Sequence, residues 1–125
     1  MPQAKVKAIN WLAEADEKDY PAAASYLSLL YSPDRVPRMV KRLRDAQIVQ
    51  FKAKDIFRAS ELSLLGVSNS HVENDRLKIA KGRPLSPLLL VRNKVTGRLV
   101  IADGYHRLCA VYTFNEDIWI CCKII

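Results

Sequence analysis

Hydrophobic positions in the first third of the chain recur at helical spacing. Val6, Ile9, Leu12 and Ala13 share one face, with Trp11 beside it, which predicts a first helix. Ala23, Leu27, Leu30 and Tyr31 repeat the spacing, and Tyr26 and Leu29 widen the stripe, so a second helix should be well buried. Pro21 falls where a first-turn proline is tolerated. A third helix is expected from about Ser32-Pro33-Asp34, with Val36, Met39, Val40 and Leu43 as its apolar stripe and Pro37 in its first turn.

From residue 48 the period changes. Ile48 to Lys52 reads as a strand, and Asp55 to Ser60 as a short irregular or helical turn. Ser70-His71-Val72-Glu73 matches a capping box with Ser70 as N-cap, and Gly82 suits the end of the helix it opens. Pro84 and Pro87 forbid further helix. Leu88 to Val91 is a continuous apolar run, as in a strand buried on both faces. Asn93 to Gly97 is a turn and Leu99 to Ile101 a strand. A helix with Leu108, Val111 and Phe114 follows Asp103, and Ile118 to Ile125 reads as a final strand. The order predicts an α+β domain with a small mixed sheet and flanking helices, preceded by a helical segment over 1–46, with the sheet-bearing core over 47–125. At 125 residues the chain is one domain.

Composition narrows the class. Half the residues are hydrophobic, enough for a core without disulfide staples, and no apolar run approaches the roughly 20 residues of a membrane span. The three cysteines, Cys109, Cys121 and Cys122, are odd in number and sit among apolar neighbours, which predicts buried thiols in a cytoplasmic protein. The Cys121-Cys122 pair lacks zinc-site spacing, and no metal site is predicted. The net charge of +7 favours acidic partners: nucleotide, nucleic acid or an acidic protein. Arg35, Arg38, Lys41, Arg42 and Arg44 form the polar face of the third helix. They are either a solvated surface or a nucleic-acid contact.

The chemistry concentrates in Val100 to Ala110. An apolar strand runs into Asp103-Gly104 and then a helical pattern. A helix N-terminus presents free N–H groups, Gly104 allows close ligand approach, and His106 and Arg107 add donors, as in a phosphate cradle. Asp103 is either the N-cap of its helix or a carboxylate near the phosphates, as Mg²⁺ ligand or base. Arg107 otherwise forms an ion pair with Glu73 or Asp75, and Tyr105 either stacks on a base, closes the pocket or lies on the surface.

The segment from about Ala53 to Ile125 resembles the ParB/sulfiredoxin-like superfamily. The shared order is a helix ending at Gly82, the proline-led strand Pro87-Leu88-Leu89-Leu90-Val91, a second strand, and the Gly-x-x-Arg helix start at Asp103-Gly104-Tyr105-His106-Arg107 followed by Ala110. The resemblance implies that Gly104, His106 and Arg107 handle nucleotide phosphates, with His71, Asn74 and Lys78 as a second wall. Asp103 and His106 are the candidate catalytic groups. Sulfiredoxins carry a cysteine where this chain has Tyr105, which argues against sulfinic-acid reduction. The motif is nearest to the Asp-Gly-His-His-Arg of ParB-like free-serine kinases. The expected ligand is a nucleotide (ATP, ADP or CTP) with or without Mg²⁺, and the expected reaction class is phosphoryl transfer or nucleotide hydrolysis. The alternatives are a non-enzymatic nucleic-acid or protein binding module, or a ParB-like nuclease, using Arg35, Arg38, Lys41 and Arg42.

Overall fold

The computed structural model describes residues 8–66 and 68–125. Among them are five helices and one sheet of four strands: α1 Asp19–Leu27, α2 Val36–Asp45, β1 Val49–Lys52, α3 Ala53–Ser60, α4 Ser70–Ala80, β2 Leu88–Arg92, β3 Leu99–Asp103, α5 Tyr105–Phe114 and β4 Trp119–Ile124. The chain has an α+β fold with a mixed sheet. The strand order is β1-β4-β2-β3, with β4 parallel to β2 and the other neighbours antiparallel.

The strands β2, β3 and β4 are covered on both faces, while the edge strand β1 is largely exposed. Leu89, Val91, Val100 and Ala102 pack against Tyr20, Ala23 and Leu27 of α1 and Met39 and Leu43 of α2. Leu88, Leu90, Ile101, Ile120 and Cys122 meet Ile56, Val72, Ile79 and Leu108 from α3, α4 and α5 on the other side. Two covered faces explain why Leu88 to Val91 reads as an unbroken apolar run and why Cys121 and Cys122, which alternate across β4, are both buried. The segment before residue 47 thus supplies one whole layer of the core.

Beside α1 the apolar packing is interrupted by Lys123, as it is by Asp19 and Ser86. The Lys123 side chain is 1% exposed. The Nζ donates to the Tyr20 hydroxyl at 3.1 Å and the Arg44 carbonyl at 2.6 Å, and pairs with Glu14 at 2.6 Å. Burial by itself would lower this ammonium, but the bonds to Glu14 and Tyr20 outweigh it and hold it above the ordinary lysine value. The clasp ties β4 to α1, to the end of α2 and to the segment before α1.

Three expectations about the helices are corrected. The described part of the first predicted helix is not helical; Val6 lies outside the described residues. Trp11 instead bridges Leu85, with Leu12 N donating to Leu85 O at 2.9 Å and Leu85 N to Asn10 O at 2.8 Å. A short isolated helix is marginal, and the extended path lays Ile9 and Trp11 against the core. The second helix stops at Leu27, where the chain passes into tight turns in which Leu29 N donates to Tyr26 O and Leu30 N to Leu27 O. Leu29 and Leu30 lie beyond the helix and are exposed rather than buried, and Tyr26 within it faces outward. The N-cap of α4 is Asn69, not Ser70. Its Oδ1 accepts from His71 N at 3.0 Å and Val72 N at 3.2 Å. At the other end Gly82, with φ +71°, closes a Schellman turn in which Arg83 N donates to Lys78 O.

Candidate functional site

The strand β3 delivers Asp103 to the sheet edge, and the register shifts opposite Leu89 and Leu90 just before it, where a bulge re-aims a side chain. Gly104 is the N-cap of α5, at φ +108°, and makes no side-chain cap bond, so Asp103 is not the N-cap. A Cβ at Gly104 would lie 2.7 Å from Leu88 Cγ and 2.9 Å from Arg107 Nη2. Only glycine allows the chain to leave the strand this tightly. His106 and Arg107 occupy the first turn of α5.

Facing them, α4 presents His71, Asn74, Asp75 and Lys78 at i, i+3, i+4 and i+7, which is one helix face. These four side chains enclose, with Asp103, Gly104, His106 and Arg107, a polar cleft of about 220 Å³. The rings of His71 and His106 are 4.9 Å apart at 42°. The structure therefore brings together His71, Asn74, Lys78, Asp103, Gly104, His106 and Arg107. Tyr105 does not line the cleft; its hydroxyl donates to the Ser63 carbonyl and fixes the loop before α4.

Arg107 is held from behind. Its Nη2 lies 2.9 Å from Asp103 Oδ2 and 3.4 Å from Asp19 Oδ2. The expected partners are taken elsewhere: Glu73 pairs with Arg76 at 3.2 Å and Asp75 with Lys78 at 3.8 Å. Asp19, in the first turn of α1, also accepts from Ser86 Oγ, which in turn accepts from Asp16 N at 3.0 Å. The Nε of Arg107 is buried and has no hydrogen-bond partner. A buried donor with no partner among the described residues is costly and marks a locally unsatisfied guanidinium.

The electrostatics follow from burial and crowding. Burial pushes the Asp103 carboxyl above the ordinary range; Arg107 opposes this and the neighbouring Asp19 reinforces it. Burial likewise raises Asp75, against the pull of Lys78, Arg107 and the two histidines. His106 is lowered, first by burial, then by His71 and Arg107, with Asp75 opposing. A lowered imidazole is neutral near pH 7 and can accept a proton. No three His, Cys, Asp or Glu side chains among the described residues converge to hold a metal ion.

From the sequence Asp75 was named only as an ion-pair partner for Arg107, and Asp19 was not named at all. Asp75 was legible in principle, since it completes the i, i+3, i+4, i+7 stripe of α4. Asp19 had no local signal, because only the docking of α1 on β3 brings it to Arg107.

The basic residues of α2 lie elsewhere. Arg35, Arg38 and Arg42 surround Met39 in a shallow groove, while Lys41 turns to Asp45 at 2.7 Å and Arg44 to Glu17 at 2.6 Å. Two larger cavities, about 400 and 650 Å³, share Arg92, Asn93 and Lys94 at the far end of the β2–β3 hairpin, away from the Arg107 cleft. No helix among the described residues is long and apolar enough to cross a membrane. No family model matches the chain, and no curated protein or solved structure matches it.

Proposed function

We propose that the cleft between the starts of α4 and α5 binds the phosphates of a nucleotide, in the manner of a ParB/sulfiredoxin-like domain. The observation that carries this reading is Arg107: a guanidinium oriented by two carboxylates in the first turn of α5, lining one cleft with Lys78, Asn74 and two histidines. The cleft, at about 220 Å³, is smaller than the roughly 300–1,000 Å³ of pockets that enclose a whole drug-sized ligand, so the phosphates enter and the nucleoside lies along its mouth.

Three carboxyl groups, Asp19, Asp75 and Asp103, offset the two fixed cations Lys78 and Arg107. A polyphosphate therefore binds with added positive charge, either as its Mg²⁺ complex or with a proton taken up by His106. Mg²⁺ would draw most of its ligands from phosphate oxygens and water. Phosphoryl transfer or nucleotide hydrolysis is the reaction class that suits these groups. Within it, His106 is the group free to take a proton, while Asp103 holds Arg107.

The test is thermal shift followed by titration calorimetry with ATP, ADP, CTP and inorganic pyrophosphate, each with and without Mg²⁺. Binding of at least one Mg²⁺-loaded ligand is expected. A charged hydrogen bond is worth roughly 1.5–3 kcal/mol, so Arg107→Ala should weaken binding about tenfold to a hundredfold, with Arg107→Lys recovering part. Because Arg107→Ala also leaves Asp19 and Asp103 facing each other, the exposed Lys78→Ala serves as the variant that keeps the fold and still loses affinity. No binding of any of these ligands under either condition overturns the reading.

A further inference from the structure

At the far end of the molecule from Arg107, the outer face of α2 and the β2–β3 turn form a second surface. A groove of about 650 Å³ runs between them. Its floor is aliphatic: Met39 from α2, Val91 from β2, and Ile125 after β4, with Leu30 and Val95 at its edges. Leu30 is 50% exposed and Val95 96% exposed, more apolar surface than a turn needs to show to solvent. Arg35, Arg42, Arg92 and Lys94 stand around this floor. Among the described residues none of these four cations has a carboxylate partner, whereas Lys41 and Arg44 on the same helix are paired. Arg38 extends the basic rim along α2.

We propose that this groove docks an acidic, amphipathic segment of a partner protein, which lays aliphatic side chains on the floor while its carboxylates meet the arginine rim. Two features select this occupant. The ring is cationic on both sides of an apolar strip, the complement of a helix or extended segment with one aliphatic face flanked by Asp and Glu. The floor also lacks the stacking platforms that single-stranded nucleic acid uses. Tyr31 is the one aromatic residue lining the groove among the described residues, and the Arg35 guanidinium lies 5.0 Å from its ring centroid. The chain's net charge of +7 adds long-range attraction for an acidic partner. The groove shares no lining residue with the Arg107 cleft, so the proposal stands independently of nucleotide binding.

The probe is a fluorescein-labelled peptide of about 15 residues, long enough to form a helix, with Leu at i, i+3, i+4 and i+7 and Asp or Glu elsewhere. It is compared by fluorescence anisotropy with a scrambled peptide of the same composition and with an oligothymidylate of similar length. The expected result is that the amphipathic peptide binds more tightly than either control. The double variant Arg35→Glu/Arg42→Glu and the single variant Val95→Ser should each weaken it by about tenfold or more, with unchanged melting temperatures because all three side chains are exposed. Equal binding of the scrambled peptide, or indifference to Val95→Ser, would reduce the surface to a diffuse positive field and overturn the proposal. Tighter binding of the oligothymidylate would make it a nucleic-acid surface instead. Absence of binding by every probe would also overturn it.

Discussion

Replacing Gly104 by alanine tests the geometry on which the Arg107 cleft depends. The backbone there has φ +108°, where an L-residue costs roughly 1–2 kcal/mol. The new methyl would stand 2.7 Å from Leu88 Cγ and 2.9 Å from Arg107 Nη2. Leu88 is fully buried in the sheet and cannot retreat, so overpacking adds about 1–3 kcal/mol. The sum is about 2–5 kcal/mol. For a chain of 125 residues this lowers Tm by roughly 6–25 °C, taking about 3–5 °C per kcal/mol. Gly97→Ala is the matched control: its φ of +72° also disfavours alanine, but nothing lies within 4 Å of the new methyl. Its cost is confined to the conformational part, about 1–2 kcal/mol. Differential scanning calorimetry on the two variants separates strain from steric conflict. The displaced Arg107 should also cost Gly104→Ala its affinity for phosphate ligands, which Gly97→Ala keeps. If the two variants melt together and bind alike, the close approach of Gly104 to Leu88 and Arg107 is not what shapes the site.

Burial lowers His106 and raises Asp103, so their contributions to stability run in opposite directions with pH. The His106 contribution is complete above the unfolded imidazole pKa of about 6.5 and is lost as pH falls through the lower folded value. That of Asp103 is complete below the unfolded carboxyl pKa of about 3.9 and is lost as pH rises through the raised folded value. An NMR titration of the imidazole should place His106 below the ordinary histidine value, and a midpoint at or above it would refute the burial argument. Lys123→Ala should cost about 2–4 kcal/mol in urea unfolding, since it leaves the Arg44 carbonyl unpaired in a buried site and opens a cavity. Lys123→Met, which fills the space, should cost less, and equal losses would mean that packing plays no part. Burial raises the Cys109 thiol and pushes Cys122 up to about 12, so both should resist alkylation in the native state and react on unfolding. Modification of Cys122 in the native protein at neutral pH would contradict the burial of β4, and modification of Cys109 the burial of the inner face of α5.

Local patterns were enough to place every strand: β2, β3 and β4 are buried on both faces and their apolar runs are bounded by proline, glycine and turn residues, while the exposed β1 shows as the point where the helical period breaks off. They also placed α2, α4 and α5, whose ends carry their own chemistry: Pro37 inside the first turn, Gly82 at the close of α4, and Gly104 where β3 turns into α5. Seven of the eight residues lining the cleft were also named from the sequence: Asp103, Gly104, His106 and Arg107 because they are consecutive or nearly so, and His71, Asn74 and Lys78 through the family resemblance. The N-terminal region was not legible, because apolar spacing alone does not distinguish a short helix from an extended segment when both bury the same side chains. Ile9 and Trp11 reach the core by pairing beside Leu85, and that choice belongs to tertiary packing. The same packing decided the electrostatics of the cleft. Asp19 meets Arg107 only because α1 docks on β3, and that contact turns the arginine from a free donor into one held between two carboxylates. A charge pair between distant segments leaves no periodic trace in the chain; its energy depends on a distance and a burial that exist only once the layers have closed.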